Sequence, residues 1–229
     1  MYARIARQIA TIVAKDLRRE WRTREILVTT VAFAILLMVV FTFAFYHDEE
    51  TGDLVFPGIL WVAVVFTGTL AIARTFQHER ENDCLRALAL IPGSAQSLYL
   101  GKFAVNLLFM ALFELALVPL LLFTFSVDIS ETWPLHLAAL AIGTVGFATL
   151  GTLVSAMLVR NDLREVLLPI VLYPLLIPML IAGVQVTSAL LDGGAWPEVG
   201  AWMQAMMAMN IAYFLVSLAL FRWVLSAVE

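Results

Sequence analysis

The side chains best suited to binding a partner protein form one polar run between the second and third hydrophobic blocks of the chain. A helix is predicted through this run, Pro92 and Gly93 end it, and Ser94 suits the cap of the next helix. An apolar edge beside charged faces suits docking into a cleft of a soluble partner, although charged runs in membrane proteins usually just face water. The candidate docking residues are Glu79, Arg80, Glu81, Asn82, Asp83, Cys84, Leu85 and Leu88.

The nearest approach to a nucleotide-binding motif follows this run, and it is incomplete. A Walker A motif has a glycine, four residues and then Gly-Lys-Ser/Thr, so that backbone amides surround the phosphates. Gly101 and Lys102 match its second half, but Gln96 occupies the first glycine position and Phe103 replaces the hydroxyl residue. Any ATP-driven function therefore requires a second polypeptide.

Glu114 is the only acidic residue inside a hydrophobic block, near the middle of the third. A carboxylate exposed to lipid would cost several kcal/mol, so the side chain is expected to face other helices and to be paired or protonated. A structural hydrogen bond between helices is the favoured interpretation. The alternative is a proton site, which would make the chain a proton-coupled secondary transporter.

The remaining candidates for metal or catalytic chemistry are sparse. His47, His78 and His136 are not paired at ligand spacing, and Cys84 is the single cysteine, so neither a metal site nor a directly bound cofactor is expected. No hydrolase triad or zinc-protease motif is present, so no catalytic residue is expected. Nucleic acid is not an expected partner, because the basic residues are those that membrane insertion demands.

Six hydrophobic blocks must position these residues. Apolar residues form 62% of the chain, against about 45–50% in soluble domains. A hydrocarbon core about 30 Å thick needs about 20 apolar residues per helix. An all-α polytopic membrane protein is therefore predicted, with short external loops and spans at about 26–45, 54–73, 103–125, 135–159, 166–190 and 206–225.

The distribution of charge predicts the topology. Of the 14 Lys and Arg residues, 13 lie before the first block or in alternate gaps, including the long loop 74–102, and Arg222 lies near the C-terminal end of the last block. The other gaps carry acids and no bases. Because Lys and Arg are retained on the cytoplasmic side, both termini and the loop 74–102 are expected to be cytoplasmic.

Residues 1–25 precede the single six-helix domain expected at 26–229. Ile5, Ile9, Ile12 and Leu17 recur at helical spacing and the basic residues are mostly offset from them, which predicts an amphipathic helix lying in the membrane interface with its apolar side down. A solvated charged leader is the alternative.

Three prolines interrupt the fifth block: Pro169, Pro174 and Pro178. Each removes a backbone donor and clashes with the preceding turn, so this helix is expected to be kinked or broken. A structural bend is the favoured interpretation and a moving hinge the alternative.

Small residues predict close helix packing in the fourth block, at Gly143, Gly146 and Gly151. The contact is either within the chain or at a seam between two copies of the chain, and the sequence does not separate these. The segment 192–204, with three glycines and Pro197, is also compatible with short helices that dip into the membrane.

Several segments together resemble the family of cytochrome c maturation protein B (CcmB), a haem exporter permease. They include Glu79–Leu85, the later Tyr99-Leu-Gly-Lys102 and Asn106, and Glu114-Leu-Ala-Leu-Val-Pro119. The likeness extends from Lys15-Asp16-Leu17-Arg18 to Arg164-Glu165-Val-Leu-Leu-Pro169, nearly the whole length. One departure is Gly93-Ser94-Ala95-Gln96, where family members often carry a basic residue.

The resemblance implies an ABC-2-like permease bundle in the bacterial inner membrane, served by a separate subunit that binds ATP with magnesium. Other cytochrome c maturation membrane proteins and a haem chaperone would be partners, with haem as cargo or with release of the haem-loaded chaperone as the outcome. Glu79–Leu85 would then be the coupling helix and residues 1–25 the elbow helix. A permease dimer surrounded by lipid is expected, and a non-transporting assembly factor is the remaining alternative.

Overall fold

The computed structural model describes residues 2–45, 49–76, 94–194 and 196–226, and every regular element in these ranges is an α-helix. The helices are α1 Tyr2–Thr23, α2 Glu25–Phe45, α3 Glu49–Ala73, α4 Ser94–Phe125, α5 Trp133–Met157, α6 Arg164–Leu191 and α7 Trp196–Ser226.

Helices α2 to α7 are long and apolar enough to cross a membrane, which confirms the six-span prediction. Their outward faces carry large apolar side chains such as Phe43, 86% exposed, and Phe123, 85% exposed, as lipid contact requires. The 32 residues of α4 extend about 48 Å, so this helix is longer than the hydrocarbon core is thick.

Successive spanning helices run in opposite directions, so the bundle has two ends. The start of α4, the ends of α3, α5 and α7, and the whole of α1 lie at one of them, here called the α1 end. The loops that join α4 to α5 and α6 to α7 lie at the far end. Helix α5 is central and packs against α3, α4, α6 and α7.

The small residues of α5 receive large side chains of neighbouring helices. A Cβ atom added at Gly143 would collide with the ring of Trp61 on α3, and one at Gly151 would collide with Ile72. Gly146 likewise meets Asn210 and Met179. These glycines therefore make contacts within the chain that any side chain would prevent.

Helix α6 is continuous through its three prolines, so the broken helix expected as one outcome does not occur. Helices α3, α5 and α7 pack against its inner face, while Pro174 and Pro178 lie on its exposed face. Tyr213 of α7 donates a hydrogen bond of 2.8 Å to the carbonyl of Leu175, beside the turn that Pro178 leaves unpaired.

Helix α1 is amphipathic as predicted, and part of its apolar side packs against α4. Ile12 packs against Gly101 of α4, and Ser97 donates a hydrogen bond of 2.7 Å to Gln8. The absence of a side chain at Gly101 lets the two helices approach closely, and the position of this helix in the membrane interface stays a prediction. Arg24, with φ of 52°, reverses the chain between α1 and α2.

At the far end, α7 begins at Trp196, well before the predicted start of the sixth span. The residues from 196 to 204 are therefore the first turns of a spanning helix and not separate short helices.

Candidate functional site

The polar run predicted to dock a partner lies outside the described residues, as do His47 and His78. The structure does describe both places where that segment joins the bundle: the end of α3, through Phe76, and the start of α4, from Ser94. The side chains that fix these two places form the candidate site.

Lys102 of α4 is the central group of the site. It is 2% exposed, and its Nζ lies 2.9 Å from Oδ2 of Asp16 on α1 and 2.9 Å from the carbonyl oxygen of Thr75. The same ammonium group stands 5.4 Å from the ring centroid of Phe76. Burial of a lysine is tolerated only with such partners, so one cation ties α1, α4 and the residues after α3 together.

Asn106, one turn further along α4, extends the network to the central helix. The hydroxyl of Thr75 donates to its Oδ1 at 2.7 Å, and its Nδ2 donates to the hydroxyl of Thr152 on α5 at 2.9 Å. Thr152 in turn donates to the carbonyl of Ala148 at 2.6 Å. Each of these buried side chains therefore has a partner, which favours a single arrangement.

Two further helices cap carbonyl groups at the end of α3. Ser155 of α5 donates to the carbonyl of Ile72 at 3.1 Å, and Nη2 of Arg164, the first residue of α6, donates to the carbonyl of Ala73 at 2.6 Å. The last carbonyls of a helix lack partners within it and form the negative end of its dipole, so Lys102 and Arg164 are placed where cations stabilise most.

Helix α2 contacts the same place through its first residue. Glu25 forms an ion pair of 2.6 Å with Arg74, and both side chains are partly exposed. The α3 clamp is the name used below for Lys102, Asn106, Ser155 and Arg164 around the segment 72–75. Counting the partners Asp16 and Glu25, five other helices hold the end of α3.

A buried apolar cluster lies directly beside the clamp. Phe76, Tyr99, Leu153 and Phe221 belong to it, and the rings of Tyr99 and Phe221 are 5.1 Å apart. Through Phe76 this cluster covers one side of the ammonium group of Lys102.

The sequence reading did not select the residues of the clamp. The sequence connects Lys102 only with topology and an incomplete Walker A motif, and Arg164 only with topology, while Asn106 and Ser155 fall within hydrophobic blocks. One indication of their importance was available in the sequence. The segments that carry the family resemblance include Asp16, Lys102, Asn106 and Arg164.

Glu114 lies away from the clamp, in the middle of the bundle. It is 6% exposed, and the hydroxyl of Thr144 on α5 lies 2.7 Å from Oε1 and 2.8 Å from Oε2. The acid thus joins α4 to α5. In the described part of the chain, no group of three or more His, Cys, Asp or Glu side chains is placed to hold a metal ion.

The glycines and prolines singled out from the sequence divide between these places. Gly151 lies beside the clamp through Ile72, whereas Gly143 and Gly146 lie further along α5. The three prolines are spread along α6, and Arg164 of the clamp begins that helix.

The family model described as CcmB protein matches residues 7–225. The chain belongs to the CcmB family. The match includes the whole clamp and both α4 and α5, so this CcmB chain is a multi-pass membrane permease and not by itself a catalytic enzyme.

Curated relatives agree with the family match. The chain is 26% identical over 213 residues to heme exporter protein B of Haemophilus influenzae, covering 91% of this chain and 95% of the relative. The proteins of the same name from Pseudomonas aeruginosa and Bradyrhizobium diazoefficiens are 25% and 24% identical, covering 80% and 81% of this chain and 81% and 83% of the relatives.

Proposed function

We propose that this CcmB chain is the permease subunit of an ABC transporter complex for cytochrome c biogenesis in the bacterial inner membrane. Both termini and the loop 74–102 are cytoplasmic in this proposal. Support comes from the family, the heme exporter names of its relatives, and the α3 clamp. The clamp carries the proposal, because it joins the base of one loop to five helices.

The energy comes from a separate subunit that binds ATP with magnesium. Closure of that subunit pushes on the docking residues Glu79–Leu88, and the force enters the bundle at Phe76 and Ser94. Breaking a buried ion pair costs about 3–5 kcal/mol, so the pair of Lys102 and Asp16 transmits a displacement instead of yielding to it. Ser155 and Arg164 pass the same displacement to α5 and α6.

The work performed is haem export or the release of a haem-loaded chaperone. Other cytochrome c maturation membrane proteins receive the product on the far side. A second copy of this chain completes the permease, as a symmetric pair matches two nucleotide-binding subunits.

Purification of the complex from membranes tests the proposal. Wild-type chain should retain an ATP-binding subunit whose hydrolysis it stimulates, and the double substitution Glu81→Ala, Asp83→Ala should detach that subunit or abolish the stimulation. A matched control is Asp128→Ala, Glu131→Ala, which removes two acids at the far end and should change neither property.

Three outcomes would reject it. Full assembly and stimulation in the Glu81, Asp83 variant would disprove the docking assignment. Absence of any ATP-binding subunit, together with loss of activity in Glu114→Gln, would favour the proton-coupled transporter. A partner unable to hydrolyse ATP that still supported cytochrome c maturation would favour the assembly factor.

A further inference from the structure

Two adjoining cavities of opposite character lie beside α2 and α4, toward the α1 end. The apolar cavity, about 270 Å³, lies between α2, α3 and α4, and its only polar side chains are Thr30, Thr67 and Glu114. The polar cavity is small, about 50 Å³, and lies where α1 and α2 meet the end of α3 and the start of α4. Ile26 and Phe109 line both, so one elongated molecule with a polar end fits the two together.

The apolar cavity opens sideways to the bilayer, between α2 and α4. Two of its lining side chains, Leu27 of α2 and Leu112 of α4, are 45% and 51% exposed on the outward faces of these spanning helices. The surrounding solvent at this depth is hydrocarbon. The cavity therefore receives part of one acyl chain directly from the membrane, while the rest of that chain stays among the surrounding lipids.

Thr30 places an unpaired donor just inside the apolar cavity. It is 5% exposed, and its Oγ1 has no hydrogen-bond partner among the described residues. The neighbouring Thr29 instead donates to the carbonyl of Glu25, four residues earlier, at 2.7 Å. A buried hydroxyl without a partner is destabilising and calls for an explanation. Thr30 lies one helical turn beyond Ile26, about 6 Å further from the polar cavity. A ligand with an acceptor at that distance from its polar end supplies the missing partner.

The lining of the polar cavity is electrically balanced. Three cations and three acids surround it: Arg19, Arg74, Lys102, Asp16, Glu20 and Glu25. Lys102 pairs with Asp16, and Arg74 pairs with Glu25. One cation and one acid of the lining, Arg19 and Glu20, therefore remain for a ligand.

Both remaining groups keep binding capacity. Glu20 is 8% exposed, and its Oε1 accepts a hydrogen bond of 2.9 Å from the backbone amide of Leu27. No residue of the described segments donates to its Oε2, and none of their acids forms an ion pair with Arg19. A buried carboxylate is stable only when its charge is compensated, so the cavity is suited to a cationic group. Arg19 also lines the exposed outer face of α1, where an anionic group reaches it.

We propose that the two cavities bind one phospholipid with a primary-amine headgroup, phosphatidylethanolamine, from the leaflet at the α1 end. Its ammonium group enters the polar cavity and donates to Oε2 of Glu20, and its phosphate binds Arg19. Thr30 donates to an ester carbonyl, and one acyl chain fills the apolar cavity. The headgroup lies beside Lys102 and Arg74, so the bound lipid supports the α3 clamp.

The size and charge of the polar cavity select this headgroup. A volume of about 50 Å³ accepts an ammonium group, since a water molecule occupies about 30 Å³, but not the bulkier trimethylammonium of phosphatidylcholine. An anionic headgroup without an amine leaves the buried Glu20 carboxylate uncompensated. The inference does not depend on what the chain transports.

Native mass spectrometry of the full chain in detergent tests the assignment, with added phosphatidylethanolamine, phosphatidylcholine and phosphatidylglycerol of identical acyl chains. Wild type should bind one phosphatidylethanolamine at least about tenfold more tightly than either other lipid, the scale of one hydrogen bond to a charged group. Glu20→Gln keeps an acceptor for the Leu27 amide but loses the charge, so it should bind phosphatidylethanolamine no better than phosphatidylcholine. Arg19→Gln should weaken all three lipids, because all carry the phosphate.

Matched controls separate the site from general attraction to charge. Arg18→Gln and Glu165→Gln change exposed residues at the same end of the bundle, outside both cavities, and should leave all three affinities unchanged.

A second set of variants tests the apolar cavity. Ala116→Phe, at its mouth, should weaken all three lipids, whereas Ala212→Phe on the exposed face of α7 should weaken none. Thr30→Val should weaken phosphatidylethanolamine about fivefold, the scale of one neutral hydrogen bond, without destabilising the lipid-free protein. Circular dichroism and gel filtration would verify that each variant is folded.

The proposal fails if wild type binds the three headgroups equally, if Glu20→Gln keeps the preference for phosphatidylethanolamine, or if Ala116→Phe binds lipid normally. Tighter binding of phosphatidylglycerol, lost in Arg18→Gln, would also reject it, because the exposed basic face of α1 would then be the binding place. None of these outcomes requires an ATP-binding subunit, so failure here is distinct from failure of the proposed function.

Discussion

Lys102 of α4 and Asp16 of α1 form a largely buried ion pair of 2.9 Å, although the two residues lie 86 positions apart in the sequence. The pair fixes α1 to α4 at the base of the loop that the proposal assigns to the ATP-binding partner. Nζ of Lys102 also bonds the carbonyl of Thr75, so removal of Lys102 breaks more contacts than removal of the Asp16 carboxylate.

Lys102→Met should destabilise the protein by about 3 kcal/mol, since it leaves Asp16 with only a surface lysine. Asp16→Asn should cost less, because Lys102 keeps the carbonyl of Thr75 and the ring of Phe76. Lys15→Met is the control: its contact with Asp16 is solvent-exposed, worth about 0–1 kcal/mol. Thermal unfolding in detergent measures all three, and equal losses would contradict the asymmetry.

Arg164→Lys should reduce the stimulation of ATP hydrolysis while leaving the protein folded. A lysine keeps the charge but lacks the planar group that places Nη2 2.6 Å from the carbonyl of Ala73. Arg160→Lys, at an exposed arginine of the same connection, should leave stimulation unchanged. Wild-type stimulation in Arg164→Lys would remove this residue from the transmission path.

Gly151→Ala and Gly58→Ala should change stability in opposite directions. The new methyl at Gly151 overlaps the side chain of Ile72, and overpacking typically costs about 1–3 kcal/mol. No atom lies within 4 Å of the position of a Cβ at Gly58, inside α3, where alanine gains about 0.5–1 kcal/mol of helix stability. The free energy of unfolding in graded denaturing detergent would reveal the difference.

Thr30→Val should leave the folded state as stable as wild type or more stable by up to about 1 kcal/mol, because it removes a buried hydroxyl with no partner among the described residues. Thr67 lines the same cavity between α2, α3 and α4 as Thr30. Thr67→Val removes a hydroxyl that donates to the carbonyl of Ala63, so the variant should lose about 0.5–1.5 kcal/mol of stability. A loss of stability in Thr30→Val as large as that in Thr67→Val would show that the Thr30 hydroxyl does have a hydrogen-bond partner.

Thr144→Val should destabilise the protein by about 1–3 kcal/mol, since it leaves the Glu114 carboxyl buried without its partner. The additional substitution Glu114→Leu should recover part of that loss, because no polar group is then left unpaired. A double variant no more stable than Thr144→Val would mean that Glu114 has another partner.

Hydropathy and charge predicted the spans because both act locally and the bilayer imposes one length on every helix. The span of α2 begins within one residue of its predicted start. The start of α7 was missed, because Trp196 and Pro197 resemble an interfacial loop, while the helical turns they begin depend on packing against α5 and α6.

The clamp was not predictable in the same way. Asp16, Thr75, Lys102 and Arg164 lie in separate stretches, and the two basic residues among them are explained equally well by topology. Only helix packing shows that these groups surround one helix end. Similarly, the prolines of α6 predicted a kinked or broken helix because the rule considers one helix in isolation, whereas in the structure the helix is continuous and packs against its neighbours.

The indole of Trp61 lies against Gly143 and Gly183 and donates to the hydroxyl of Thr187 at 3.0 Å. It is 3% exposed, whereas Trp21, Trp133, Trp196, Trp202 and Trp223 are all more than 40% exposed. Acrylamide in water and brominated lipid acyl chains should together quench the fluorescence of those five and leave the emission of Trp61. The fluorescence of Trp61 thus reports on the wall of the cavity between α3, α4 and α5, where repacking during turnover can be followed without a label.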